Sequence, residues 1–247
     1  MGYLYETHLH TRCASLCSDA NPKDYVRKYQ EQGFAGLIVT DHFFNGNCRI
    51  RKGGNWPDMV DQYCSGYEEA AEEGLRCGLD VFFGWESSYY CDDYLVYGLD
   101  KQWLKDHPEI VSCTRKQQFD WVNEAGGAIV QAHPFRERDY IVDIKLSPYL
   151  VHAVEVANAE NEAVFDQRAY QYAKQYNLTM TAGSDIHRTE KVSCSSYGVI
   201  SPTKWKSIDD YTLTLRRHQQ LELHANPECF LPIDSKPNLK VIMMNRS

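Results

Sequence analysis

Imidazole and carboxylate side chains recur along the chain in short clusters, each at the end of an apolar run. The clusters contain His8 and His10, Asp41 and His42, Glu86, His133, and Asp185 with His187. Side chains two residues apart on a strand lie on one face, so His8 and His10 can bind one ion together. The same holds for Asp185 and His187. A mixed set of nitrogen and oxygen ligands favours Zn, Mn or Fe over Ca or Mg, and the spacing therefore predicts a shared metal centre.

The combination of these signals is more specific than any one of them. Nine histidines in 247 residues give about 0.3 His-x-His pairs by chance. A lone histidine on an apolar strand is also more often a hydrogen-bonded core residue than a ligand. However, five of the nine histidines lie at the ends of predicted strands. Glu86 adds two carboxylate oxygens that can bridge adjacent ions, as two-metal hydrolytic sites require.

The elements that must position these clusters alternate between short apolar runs and longer amphipathic stretches. The pattern predicts strands over 3–10, 34–40, 81–90, 94–99, 128–133, 153–157, 179–182 and 197–201, and helices over 22–32, 58–76, 116–124 and 161–176. This order favours parallel strands with crossover helices, in an α/β barrel or an open sheet. The carboxyl ends of such strands are where binding and catalytic groups gather.

No linker or internal repeat divides the sequence, so we expect one domain over 1–247. The motifs occupy 3–200, and 201–247 supplies the final elements and a C-terminal tail. A polar, Gly-rich insertion over 45–56 is expected to form part of a substrate selectivity wall, and the segment 227–247 has no clear period.

Composition excludes several classes of protein. The 34 acidic and 26 basic residues give a net charge of −8, which disfavours a nucleic-acid partner. The nine cysteines form no CxxC pair, so neither a zinc ribbon nor a thioredoxin motif is present, and reduced thiols are expected. The first residues lack the features of a signal peptide, and the apolar runs are too short for a membrane span. We expect a cytoplasmic protein of unspecified oligomeric state.

The chain resembles the polymerase-and-histidinol-phosphatase (PHP) domain family in five ordered motif blocks. These are His8-Leu9-His10-Thr11, Thr40-Asp41-His42, Glu86, His133-Pro134-Phe135 and Gly183-Ser184-Asp185-Ile186-His187. The resemblance implies an α/β fold, a distorted seven-stranded β/α (TIM-like) barrel. It also implies two or three divalent metal ions and, in most members, phosphoester hydrolysis.

The resemblance assigns ligands to each ion. One ion would be held by His8, His10, Glu86 and Asp185, and a second by His42 and His187. A third would share Glu86 and take His133.

Two departures from the family pattern concern further ligands. The family often places an Asp or His several residues after the His-x-His pair, whereas this chain offers Cys17 or Asp19, and Cys17 as a plain packed thiol is an equal alternative. The family also often has a His before the strand at 94–99, where this chain has Asp93, an oxygen ligand.

The mechanism expected from these residues is hydrolysis by a metal-bridging hydroxide that attacks phosphorus in line. Asp185 would orient or deprotonate the water. Arg136 and Arg188 are candidates for binding the phosphate bidentately, and Arg12 is a weaker third. Glu155 and Asn158 are candidates for lining the pocket.

Three functions remain open on the sequence. The first is a phosphoesterase acting on a small phosphorylated metabolite or nucleotide. The second is an amidohydrolase that cleaves C–N bonds, since a metal hydroxide can also attack carbonyl carbon. The third is a non-catalytic metal-binding module. His107, His152, His218 and His224 are expected to be structural or surface residues.

Overall fold

Strands and helices alternate along most of the chain. The computed structural model describes residues 2–193 and 196–245. Their strands are β1 (Tyr3–Leu9), β2 (Gly36–Val39), β3 (Asp80–Ser88), β4 (Asp93–Tyr97), β5 (Ala128–Ala132), β6 (Asp143–Leu146), β7 (Ala153–Asn158), β8 (Thr179–Gly183), β9 (Gly198–Ser201), β10 (Glu222–His224) and β11 (Lys240–Met243). The helices are α1 (Pro22–Glu31), α2 (Trp56–Cys77), α3 (Lys101–Asp106), α4 (Arg115–Glu124), α5 (Ala163–Tyr176) and α6 (Ile208–Arg216), with short 3-10 turns at Pro108–Ser112, Thr189–Lys191 and Pro227–Phe230.

Seven strands form a nearly closed barrel. The main sheet has the order β10-β9-β1-β2-β3-β4-β5-β7-β8. Beyond β8 the chain returns to β1, where Asp185 N donates to the His8 carbonyl at 2.7 Å and His10 N donates to the Ile186 carbonyl at 3.0 Å. The barrel strands are therefore β1, β2, β3, β4, β5, β7 and β8, while β9 and β10 extend the sheet beside the first half of β1. The distorted β/α barrel expected from the sequence is confirmed.

One barrel strand departs from the expected parallel arrangement. Strand β4 pairs antiparallel with both β3 and β5. The reason is the connection: β3 and β4 are joined by a tight hairpin of a few residues, and such a turn can only reverse the chain. This strand distorts the barrel.

Local sequence signals explain where the helices begin and end. Helix α1 begins after Asn21, whose side chain accepts from Lys23 N, and has Pro22 in its first turn. Helix α2 ends at Gly78, which has a φ of +76°. Among the residues the structure describes, no helix is both long and apolar enough to cross a bilayer.

The sequence patterns missed several short elements. Helices α3 and α6 and strands β6, β10 and β11 contain three to nine residues each, which is too short for a clear period. The segment after 227 is more ordered than its sequence indicates. Its strand β11 pairs in parallel with β6, and Arg168 of α5 donates to the carbonyls of Ser235 and Lys236. Residues 246–247 lie outside the described part.

Candidate metal centre

The carboxyl end of the barrel brings the predicted ligands together. His8 and His10 come from the end of β1, His42 follows β2, Glu86 lies in β3 and His133 follows β5, while Asp185 and His187 follow β8. His133 and Asp185 adopt left-handed backbone conformations, with φ of +27° and +54°. Such conformations are unfavourable for residues other than glycine and are concentrated at functional sites.

The first group of ligands is the most buried. His8 Nε2 and His10 Nε2 lie 3.2 Å apart. Asp185 Oδ1 is 3.1 Å from His10 Nε2 and 3.4 Å from His8 Nε2, and Glu86 Oε1 is 3.4 Å from His8 Nε2. All four side chains are almost completely buried. The structure thus brings together the four residues that were assigned to the first ion.

Two further groups adjoin the first. Ligand atoms of His10, His42 and His187 lie within 4.8 Å of one another, and so do those of His8, Glu86 and His133. Asp93 stands at the edge of the second of these groups, with Oδ2 4.0 Å from His133 Nε2. The groups contain the residues that the resemblance to the PHP family assigned to each of three ions.

Two buried atoms test whether cations fit this arrangement. Glu86 Oε2 and His42 Nδ1 lie 2.6 Å apart. Even so, neither has a hydrogen-bond partner of suitable geometry among the described residues. Leaving such groups unsatisfied in the interior costs about 1–3 kcal/mol each. A cation ligated by both atoms would satisfy them, so the donor set fits a metal.

The charges of the centre favour ionised carboxylates. Burial would raise the pKa of Glu86, but the imidazoles of His42 and His8 hold it well below its usual range. Burial would also raise the pKa of Asp185, and His8 and Arg136 lower it in the same way. Both groups are therefore available as anionic ligands at neutral pH.

Arg136 belongs to the network around Asp185. Its Nη2 donates to Asp185 Oδ2 at 2.7 Å and to Asn158 Oδ1 at 2.8 Å, while Nε donates to Asn161 Oδ1 at 2.7 Å. Arg188, the other arginine predicted to bind phosphate, is exposed at the surface beside His187. The structure thus brings Arg136 to the centre and leaves Arg188 outside this network.

Cys17 lies beside the second ion position. Partial burial raises the pKa of its thiol, but hydrogen bonds with His187 and His42 outweigh that effect and lower it to about 6. Asp19, the alternative to Cys17, reaches this region through its backbone amide, which donates to the His187 carbonyl at 3.1 Å.

Three residues that support the ligands were not predicted in that role. Glu155 was expected only to line a pocket, yet its Oε1 is 2.9 Å from His8 Nδ1. Ser15 contacts His10 directly, and Asp41 contacts Ser15 behind it. Asp41 lies within a motif block, which is a weak signal. A single serine carries none.

The comparisons with known proteins agree with this geometry. The family model for the PHP domain matches residues 6–181, and the model described as PHP-associated matches residues 166–198. The chain belongs to the PHP domain family. No curated protein matched this PHP domain.

Solved structures with this PHP fold come from several bacteria. A two-domain protein from Bacteroides vulgatus, described as containing a predicted PHP-like metal-dependent phosphoesterase, aligns with a TM-score of 0.66 at 17% identity. The alignment covers 91% of this chain, which spans 65% of that protein. An amidohydrolase from Chromobacterium violaceum with bound sulfate aligns with a TM-score of 0.54 at 16% identity, over 85% of this chain and 96% of that one. PsfC from Pseudomonas syringae gives 0.61 at 17% identity, over 93% and 94% of the two chains. At these identities the similarity concerns the fold.

Proposed function

We propose that this PHP domain is a metal-dependent phosphoesterase that hydrolyses a small phosphorylated metabolite or nucleotide with two or three divalent ions. The observation that carries the proposal is the unsatisfied pair Glu86 Oε2 and His42 Nδ1, buried inside a ring of further imidazole and carboxylate ligands. Divalent cations bound there would lower the pKa of a coordinated water to about 7 and neutralise phosphate oxygens.

The protein's own residues supply the remaining steps. Asp185 is ionised and buried beside the ion positions, where its carboxylate can accept a hydrogen bond from the attacking water and orient it. Arg136 holds Asp185 in place and adds a positive charge next to the position of the phosphate. Arg188 is exposed beside His187, from where its long side chain can reach an anionic substrate.

We extend the ligand set by two residues at its edges. Cys17 would complete the position served by His42 and His187, and Asp93 the position served by Glu86 and His133. The observations that support them are the lowered pKa of the Cys17 thiol, which His187 and His42 cause, and the 4.0 Å separation of Asp93 Oδ2 from His133 Nε2. A set with a thiolate and several imidazoles favours Zn or Fe at the first of these positions.

A cytoplasmic location is consistent with the thiols. All eight cysteines in the described part of the chain are free, whereas Cys194 lies outside it. Free thiols are typical of a reducing compartment.

The proposal is tested by metal analysis combined with substrate assays. Protein loaded with Zn, Mn or Fe should hydrolyse p-nitrophenyl phosphate or bis-p-nitrophenyl phosphate, and a screen of phosphorylated metabolites should identify the substrate. Hydrolysis of an amide panel alone would instead indicate the amidohydrolase chemistry named for the Chromobacterium protein. Less than one ion per chain, with no hydrolysis of any substrate, would refute both enzymatic functions.

His10→Ala should abolish metal retention and activity together, because His10 Nε2 lies within 3.5 Å of both Glu86 and Asp185. His218→Ala is the matched control, since this residue lies in the turn after α6. Metal content by mass spectrometry and hydrolysis rates should distinguish the two variants. Equal effects would contradict the ligand assignment.

A further inference from the structure

The hydroxyl of Ser15 lies between two metal-ligand residues that come from different strands. Its Oγ is 3.2 Å from His10 Nδ1 and accepts a hydrogen bond from the backbone amide of His42 at 3.0 Å. It donates to Asp41 Oδ1 at 2.6 Å. Ser15 is completely buried, and these three are the hydrogen-bonding contacts of its hydroxyl.

Counting donors fixes the direction of each hydrogen bond. The Asp41 carboxylate also accepts from the backbone amide and the hydroxyl of Thr11, both at 2.6 Å, and acts as the acceptor of this cluster. A serine hydroxyl has one proton, and Ser15 uses it to donate the hydrogen bond to Asp41. The contact with His10 therefore requires a proton on His10 Nδ1. In a neutral imidazole, Nε2 then carries the lone pair, and this atom faces Asp185 Oδ1 at 3.1 Å.

The loop that carries Ser15 is held from outside by the polar insertion. Arg49 N donates to the Ala14 carbonyl at 2.6 Å, and Leu16 N donates to the Asn47 carbonyl at 3.0 Å. The Arg49 guanidinium adds longer contacts of 3.4–3.5 Å to carbonyls of the same loop. The insertion, which was predicted to be a selectivity wall, thus also fixes the position of the hydroxyl.

We propose that Ser15, backed by Asp41, is a positioning residue that holds His10 in the tautomer required for metal binding and ties it to His42. The inference rests on the proposed metal centre. The Ser15 hydroxyl would touch no cation itself, but it would support both the ion position that His10 ligates and the ion position that His42 ligates. Residues that orient metal-ligating histidines in this way typically affect metal affinity by about 10–100-fold.

The tautomer can be measured directly in the unsubstituted protein. In ¹⁵N-histidine-labelled protein loaded with Zn²⁺ at pH 8, long-range ¹H–¹⁵N spectra should show His10 with a protonated Nδ1 and an unprotonated Nε2. The His10 signals are assigned by their loss in His10→Ala. The opposite tautomer, or rapid exchange between the two, would overturn the proposal without any change at Ser15.

Substitution of Ser15 tests the effect on the metals. Ser15→Ala should weaken binding of Zn²⁺ by about 10–100-fold in titrations against a competing chelator, for each of the first two equivalents. It should also shift the His10 ring signals toward a mixture of tautomers, which a loss of packing alone would not do. Ser87→Ala is the matched control, because Ser87 is completely buried and its hydroxyl has no hydrogen-bond partner among the residues described.

The outcome does not depend on phosphoesterase activity. Wild-type affinity together with an unchanged His10 spectrum in Ser15→Ala would refute the positioning role, whatever the enzyme hydrolyses. Protein that binds metals as expected here but hydrolyses no phosphoester would refute the proposed function and leave the role of Ser15 intact. Chelator titration and imidazole spectra therefore separate the two proposals.

Discussion

Glu155 shows how a single carboxylate can organise several residues of the centre. Its Oε1 accepts from His8 Nδ1 at 2.9 Å, and its Oε2 accepts from His133 N at 3.0 Å and from Asn158 Nδ2 at 2.8 Å. With Glu155 accepting from His8 Nδ1, all three partners donate to this one side chain. The His8 tautomer that results presents Nε2 to the ion positions.

Glu155→Gln should weaken metal binding by about 10–100-fold. The new side chain has an NH₂ group in place of one acceptor oxygen, so one of the three donors would face another donor. Zinc titration against a chelator measures the effect. Glu222→Gln, at the exposed first residue of β10, is the control and should bind zinc as the wild type does. Unchanged affinity in Glu155→Gln would show that His8 needs no carboxylate behind it.

Cys17→Ser tests the thiolate ligand. Cobalt-loaded protein should show a thiolate-to-cobalt charge-transfer band in the near ultraviolet, which disappears in Cys17→Ser because oxygen does not produce it. Cys91→Ser replaces another exposed cysteine and should leave the band in place. If the wild-type protein lacks the band, Cys17 is a packed thiol and not a ligand.

Among the helices, α2 approaches the cluster that supports His10 through a glycine, Gly66. A Cβ atom at Gly66 would lie 2.4 Å from Thr11 Oγ1 and 3.0 Å from Cys13 Cβ. Thr11 Oγ1 donates to Asp41, so the close approach of the helix bears on the cluster that supports His10. The absence of a side chain at this position is thus a requirement of the packing beside the site, since the helix itself would favour alanine.

Gly66→Ala should lower the free energy of unfolding by about 1–3 kcal/mol, because overpacking outweighs the better helix propensity of alanine. Urea denaturation measures the loss, and metal affinity should fall with it. Gly54→Ala is the matched control, since the nearest atom there is Cγ of the flexible Met59 side chain at 3.3 Å. A stabilised Gly66→Ala protein would contradict the packing argument.

At the scale of the whole molecule, His152 at the amino-terminal end of the barrel links stability to pH. Its Nδ1 accepts from the backbone amide of Ile129 at 3.1 Å, which requires a neutral ring. Burial, and then the positive charges of Arg216 and His218, lower the pKa of His152 from 6.5 to about 4. The unfolded chain takes up this proton below about 6.5 and the folded chain only near 4, so the contribution of His152 to stability falls as the pH decreases between these values.

His152→Asn should remove this part of the pH dependence, because an asparagine oxygen can accept from Ile129 N and does not titrate. The measurement is the free energy of unfolding by urea between pH 8 and pH 4, taken as the difference between variant and wild type. Buried carboxyls such as Glu6 and Asp166 also titrate in this interval. Their contribution is the same in the variant and the wild type, so subtracting the two free energies removes it. A flat difference for His152→Asn would contradict the assignment.

The sequence by itself indicated an α/β barrel or an open sheet with a shared metal centre, and its resemblance to the PHP family implied the barrel and the main ligands. Apolar runs of four to nine residues indicate strands, and imidazoles and carboxylates at their ends have types and spacings that few other roles require. The resemblance to the PHP family then assigned Glu86, His133 and Asp185 to particular ions before their positions were known. These signals are local, and they depend on residue type.

Only the tertiary structure decided which uncharged or isolated groups support those ligands. Ser15 and Glu155 lie far apart in the chain, and neither has a distinctive spacing. The contact between β1 and the chain after β8, and the pairing of β6 with β11, likewise join distant segments. Such contacts depend on complementary positions and directions of hydrogen bonds, which exist only once the barrel has formed.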